Sequence, residues 1–190
     1  MRNDFAIFIM SYNRANNIST LHTLNKAGYT GKYYIIVGDD DPSLELYKQL
    51  YNDNLYIFSK EQIEPLFDTY DNNGSQKCIV YARNYCFILA KQLNLKYFLQ
   101  FDDDYIELAY RYPLDGKLKI CNIKEFDKIV NICIDFLEDT QALSIALPHT
   151  ANLLKNHIKK FVDMQKHVEI LLLQNCLKIK MKNEILKHNK

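Results

Sequence analysis

Phe5-Ala6-Ile7-Phe8-Ile9-Met10 is apolar at every position and gives way at once to Ser11-Tyr12-Asn13-Arg14. Strict alternation would mark a strand with one wet face, whereas an unbroken apolar run of six marks a central strand covered on both sides. Outward from it, Ile18, Leu21 and Leu24 recur at helical spacing over about 17–27, and Gly28 stands just past that helix's end. A second buried strand runs from Tyr33 to Val37 and stops at Gly38. An Asp-Pro-Ser turn then opens a helix from Ser43 to about Tyr51, and Leu55-Tyr56-Ile57-Phe58 reads as a third strand. This is a βαβαβ beginning.

The pattern continues past a polar stretch at Asp71-Asn72-Asn73-Gly74-Ser75. A helix from roughly Cys78 to Leu93 leads into the strand Lys96-Tyr97-Phe98-Leu99-Gln100-Phe101, which Asp102-Asp103-Asp104 terminate. Tyr110 to Ile120, centred on Asp115-Gly116, reads as a hairpin, Ile123 to Leu137 as an amphipathic helix, and Ala142 to Leu147 as a last strand. Strands alternating with helices in this way predict an α/β sandwich with a mostly parallel sheet.

Composition bounds the rest. At 190 residues, of which 48% are hydrophobic, the chain is long enough for one domain with a sizeable core. No apolar run approaches the ~20 residues of a bilayer crossing. Met1-Arg2-Asn3-Asp4 lacks a signal-peptide pattern, so a cytoplasmic protein without a membrane partner is expected. Cys78, Cys86, Cys121, Cys133 and Cys176 are odd in number and scattered, which predicts reduced structural thiols. Charge is unevenly placed. Residues 151–190 carry nine lysines against Asp163, Glu169 and Glu184, a net +6, while residues 1–150 carry a net −5 and hold every Arg, Gly and Pro. A boundary is therefore expected near Pro148-His149-Thr150, dividing a domain at 1–150 from a Lys-rich helical tail at 151–190.

Polar constellations stand where these strands end, and in open α/β sheets ligands bind at the carboxyl ends of strands. Ser11, Asn13 and Arg14 bring a hydroxyl, an amide and a guanidinium to a helix start, where they suit a nucleotide or phosphate; the same residues also suit a plain capping turn. Asp39-Asp40-Asp41-Pro42 offers carboxylates to a base N–H or a ribose hydroxyl, with Asp41 or Ser43 capping the next helix. In the third constellation, after the strand ending at Phe101, alternation sends Asp102 and Asp104 to one side and Asp103 to the other. Asp102 and Asp104 together, or Asp104 alone, then suit Mg²⁺ or Mn²⁺ beside phosphate oxygens. Arg83 and Asn84 begin the helix that feeds this strand, where a guanidinium and a helix N-terminus together favour an anion.

In this order, the Ser-Tyr-Asn-Arg strand end, the acidic second strand end, Ile79-Val80-Tyr81-Ala82-Arg83-Asn84 and Tyr97-Phe98-Leu99-Gln100-Phe101-Asp102-Asp103-Asp104-Tyr105 resemble nucleotide-diphospho-sugar glycosyltransferases of the GT-A type. With Ala27-Gly28-Tyr29-Thr30-Gly31-Lys32-Tyr33-Tyr34 they resemble, more narrowly, the TET-associated glycosyltransferases, a family common in phages and thought to glycosylate hydroxymethylated pyrimidines in DNA. The resemblance covers about residues 4–147. It implies a GT-A-like, Rossmann-type three-layer sandwich and a nucleoside-diphosphate sugar as donor. By position, Ser11, Asn13 and Arg14 would line the nucleotide pocket, with Asn84 beside it. Asp39 or Asp40 would receive base or ribose, Arg83 the diphosphate, and Asp102 and Asp104 a Mn²⁺ or Mg²⁺ ion.

Past Leu147 relatives continue with a glycine-rich segment and a later Asn-Glu-Asp stretch. Here no glycine follows Gly116, and Asn183-Glu184 matches only as a dipeptide, so no catalytic residue is assigned and the acceptor half is expected to be incomplete. The tail reads as a helical cap using Leu154, Ile158, Phe161, Val168 and Leu172, as a basic arm for nucleic acid, or as a chance extension after a frameshift or fragment break. The abrupt compositional change favours the last. Two further function classes stay open: a non-catalytic sugar-nucleotide-binding module and a metal-dependent nucleotidyltransferase.

Overall fold

The computed structural model describes residues 1–67, 79–115, 117–140, 142–148 and 168–174. The expected polar stretch at 71–75, Cys78 and most of the tail lie outside them.

The opening apolar run is strand β1 (Phe5–Met10), with no residue more than 3% exposed. It lies between β2 (Lys32–Gly38) and β4 (Tyr97–Asp102), parallel to both, and β3 (Leu55–Phe58) extends the parallel sheet beyond β2. One face of β1 sends Phe5, Ile7 and Ile9 toward helices α1 (Ser19–Lys26), α2 (Leu44–Tyr51) and α5 (Phe126–Asp139). The other sends Ala6, Phe8 and Met10 toward the short α3 (Lys60–Ile63) and α4 (Val80–Gln92). The three-layer α/β sandwich expected from the sequence is present. Each large side chain buried in this way is worth about 1.5–3 kcal/mol, so the doubly covered strands dominate the core.

The amphipathic α5 buries Phe126, Val130, Ile134 and Leu137 at helical spacing. Gly28, at φ +76°, ends α1 and turns the chain into β2; there Phe126 N–H donates to the Ala27 carbonyl, docking the start of α5. The hairpin is β5 (Ala109–Leu114) paired with β6 (Lys117–Asn122), a two-stranded ribbon separate from the main sheet.

The C-terminal segment requires a correction. Its described residues form a strand, β8 (Val168–Gln174), and not a helix. β8 runs antiparallel to β4, with Tyr97 opposite Gln174, and antiparallel to β7 (Ser144–Pro148), giving the order β3-β2-β1-β4-β8-β7. Ile170-Leu171-Leu172-Leu173 is a short continuous apolar run, which periodicity alone cannot separate from a helix; an open edge of β4 decides it. Expected contacts of Leu154, Ile158 and Phe161 lie outside the described residues.

Candidate functional site

In the sheet order the chain builds outward through β1, β2 and β3 and then jumps back to place β4 on the other side of β1. The loops after β1 and β4 therefore diverge, and a crevice opens between their carboxyl ends. A cleft of about 520 Å³ occupies this place. It is lined on one side by Ser11, Tyr12, Arg14 and Asp40, on the other by Asp102, Asp103 and Asp104, with Met10, Phe58 and Ile79 supplying apolar wall. That is a ligand-sized volume.

The floor is a hydrogen-bonded chain. Ser11 Oγ donates to Asp103 Oδ2 at 2.5 Å, and having one hydrogen it must accept from Tyr47 Oη, 2.7 Å away. Burial pushes the Tyr47 phenol up, only partly offset by its bonds to Ser11 and the Arg14 backbone, so it stays a neutral donor near pH 7. Tyr47 Oη also accepts from Arg14 N–H at 3.0 Å, which fixes the backbone of Arg14 while its side chain remains half exposed. Arg14 Nη1 donates to Asp103 Oδ1 at 2.8 Å and to Asp104 Oδ2 at 3.2 Å. Asp104 and Asp103 hold the guanidinium firmly protonated.

Asp102 and Asp103 face opposite ways, as alternation requires: Asp102 meets Arg83 of α4, while the buried Asp103 meets Ser11 on the α2 side of the sheet. Asp104 departs from the expected arrangement: it shares Arg14 with Asp103 and is not grouped with Asp102, although all three aspartates line the cleft. The reason is that β4 ends at Asp102, after which α1 takes over the backbone. Thr20 Oγ1 donates to the Asp102 carbonyl and accepts from Tyr105 N–H, while Thr20 N–H donates to the Asp103 carbonyl. Alternation along a strand says nothing about a turn pinned from outside.

The remaining expected residues divide. Asp40 lies in the cleft, where Lys60 Nζ donates to its Oδ2 at 2.7 Å, whereas Asp39 lies outside the lining and its N–H joins the Phe58 carbonyl. Asp41 is buried and structural: one carboxylate oxygen accepts from Ser43 N–H and the other from Asn13 N–H. Asn13, at φ +54°, receives Ser43 Oγ on its side-chain oxygen, so it ties the two loops together and is not among the lining residues. Arg83 stands behind Asp102, its Nη2 3.2 Å from Oδ1. Gln100, buried in β4, donates to the Arg83 carbonyl and anchors that end of α4. Asn84 donates to the Val80 carbonyl within its own helix.

Sequence reasoning misses Lys60 and includes Tyr12 only within the Ser-Tyr-Asn-Arg strand end. Lys60 Nζ lies 5.9 Å from the centre of the half-exposed Tyr12 ring, and both line the cleft. Only a basic residue shortly after the third strand signalled Lys60. Formally, four lining carboxylates face the cations Arg14 and Lys60, with Arg83 behind them. Among the described residues no three His, Cys, Asp or Glu side chains converge as a metal cage, and no helix is long and apolar enough to cross a membrane.

Residues 5–190 match the family described as TET-Associated Glycosyltransferase, so the match runs through the C-terminal segment, well past Leu147. No curated protein matches the sequence. Among solved structures, S. aureus TarS 1–349 in complex with UDP is 17% identical, with a TM-score of 0.43, over 90% of this chain and 46% of that one. TarS 1–349 alone is 16% identical, with a TM-score of 0.44, over 90% and 47% of the two chains. The chain thus spans less than half the length of these structures.

Proposed function

The chain belongs to the TET-associated glycosyltransferase family, and from that premise we propose that its cleft binds a nucleoside-diphosphate sugar and presents the sugar to an acceptor hydroxyl. The acceptor in this reading is a hydroxymethylated pyrimidine in DNA. The observation that carries the donor half is convergence. Residues from four strand ends and from α4 meet around one cleft, and they combine guanidinium and ammonium groups for phosphate with carboxylates for hydroxyls, base edges or a cation.

The donor set fits a Mn²⁺ or Mg²⁺ ion. Asp102 and Asp104 offer hard carboxylate oxygens at the cleft, and such ions take one or two carboxylates while keeping waters and phosphate oxygens as their other ligands. Asp102 and Asp104 would hold it, and its chemistry there would be to neutralise charge on the departing diphosphate. Arg14 and Lys60, which both line the cleft, supply further positive charge for the same group, and Tyr12 offers a ring face to a base.

The acceptor half draws support from the ribbon. Cross-strand register puts Tyr110, Tyr112 and Leu114 on one face with Lys119 opposite Tyr112 and Lys117 opposite Leu114, and the two tyrosines are 50% and 44% exposed. Residues 106–124 carry Arg111, Lys117, Lys119 and Lys124 against Glu107 and Asp115, in a domain otherwise net acidic. Lysines for phosphates beside tyrosines for bases suit a nucleic-acid surface.

The test is transfer itself. The full chain is incubated with UDP-sugars, Mn²⁺ and duplexes carrying either cytosine or 5-hydroxymethylcytosine, and the nucleosides are weighed by mass spectrometry. A hexose or N-acetylhexosamine increment on the hydroxymethylated duplex alone is expected. Nucleotide binding with no transfer to any hydroxyl would leave a binding module in its place.

A further inference from the structure

Arg14 occupies an unusual station for a residue expected to hold donor phosphate, because its guanidinium is turned onto carboxylates of its own chain. We infer that Arg14 is a resident counter-ion of the acidic strand end, which exchanges Asp104 for the donor diphosphate when a divalent cation takes that carboxylate. This rests on the metal-assisted reading of the cleft.

The two contacts of Arg14 differ in kind. Asp103 is only 8% exposed and is already fixed by Ser11, so its 2.8 Å bond to Nη1 anchors the guanidinium. Asp104 is 62% exposed and meets the same nitrogen at 3.2 Å, a loose solvated pair of the sort that contributes little. The backbone of Arg14 is tied to Tyr47, but the side chain is 49% exposed and so has room to turn without moving the loop. A guanidinium and a divalent ion that share one exposed carboxylate repel each other, which favours release of the looser Arg14–Asp104 pair.

Charge bookkeeping gives the exchange a direction. Asp40, Asp102, Asp103 and Asp104 against Arg14, Lys60 and Arg83 leave the cleft with one surplus negative charge, a poor host for a diphosphate. A divalent ion reverses the sign and frees a guanidinium in the same step. Cation and nucleotide should then strengthen each other's binding beyond what shared phosphate contacts supply, and by linkage the effect must be equal in both directions.

Mn²⁺ binding to the full chain, read by electron paramagnetic resonance with and without UDP, tests this. Arg14→Gln should bind Mn²⁺ alone roughly three- to tenfold tighter than the parent, the scale expected for removing one competing charge at a partly exposed carboxylate. UDP should enhance its Mn²⁺ affinity by a smaller factor than in the parent. Arg14→Lys, which keeps a charge for Asp103 on a shorter side chain, should show the same changes at smaller size and covers the case of a poorly folded Gln variant. Equal Mn²⁺ affinity in the parent and both variants, or an unchanged enhancement by UDP, overturns the exchange while leaving the metal reading standing. No Mn²⁺ binding in parent or variants even with UDP overturns the metal reading and the exchange with it.

Discussion

Ser11 Oγ donates to Asp103 Oδ2 at 2.5 Å, joining the ends of neighbouring parallel strands across 92 positions of sequence. The bond places a buried carboxylate beneath the cleft, where it aligns Arg14 and receives the Tyr47 hydroxyl chain through Ser11. Asp103 is thus a positioning residue, and the exposed Asp104 beside it is the one at liberty to meet a ligand.

That division gives the first prediction. Asp103→Asn removes the charge under both Ser11 and Arg14 and should cost about 1–3 kcal/mol of stability. Asp104→Asn should leave the melting temperature within about a degree, because its pair is exposed, yet weaken Mn²⁺-dependent UDP binding. Thermal melts and calorimetric titrations, with and without a chelator, measure the two effects. Equal melting temperatures for the two variants would remove the structural role of Asp103.

Arg83 reaches Asp102 from the start of α4, with its side chain about three-quarters buried. If it also serves diphosphate, Arg83→Lys should weaken UDP binding although the charge is kept, since an ammonium lacks the planar fork. A Lys variant that binds like the parent, set against an Ala variant that does not, would reduce its role to charge.

Removing residues 151–190 takes away β8, the strand through which β7 joins β4. Tyr97 to Gln100 of β4 would become a sheet edge, and such edges promote aggregation. The truncated chain should therefore lose soluble yield and melting temperature together. Nucleotide binding lost at an unchanged melting temperature would instead mean that the segment contributes directly to the cleft.

Glu138 Oε1 accepts from Lys96, Arg2 and the Tyr97 hydroxyl, and these bonds, Lys96's the largest, lower its pKa from 4.5 to about 2. A carboxylate with a depressed folded pKa contributes its stability in full above pH 4.5 and loses it as pH falls through about 2. The melting temperature of Glu138→Gln should accordingly lie slightly below the parent's at pH 6 and converge with it between pH 4.5 and 2. A gap that widens on acidification would contradict the sign. The exposed setting keeps the effect small.

Local pattern alone determined much of this protein. The six apolar residues of β1 and the run from Tyr97 to Phe101, bounded by turn residues, read as strands covered on both faces, and the polar residues that halt them, Ser11 to Arg14 and Asp102 to Asp104, mark the cleft. What tertiary structure decided is whatever depends on partners far along the chain. Asp104 joins Asp103 on Arg14 and not Asp102 because Thr20, on another element, pins the backbone after Asp102 and ends the alternation. Lys60 enters the cleft because β3 lies beside β2, which brings α3 up against Asp40. Val168–Gln174 is a strand because β4 has an unpaired edge to offer, and hydrogen bonds between β4 and β8 outweigh a local pattern that suits a helix equally well.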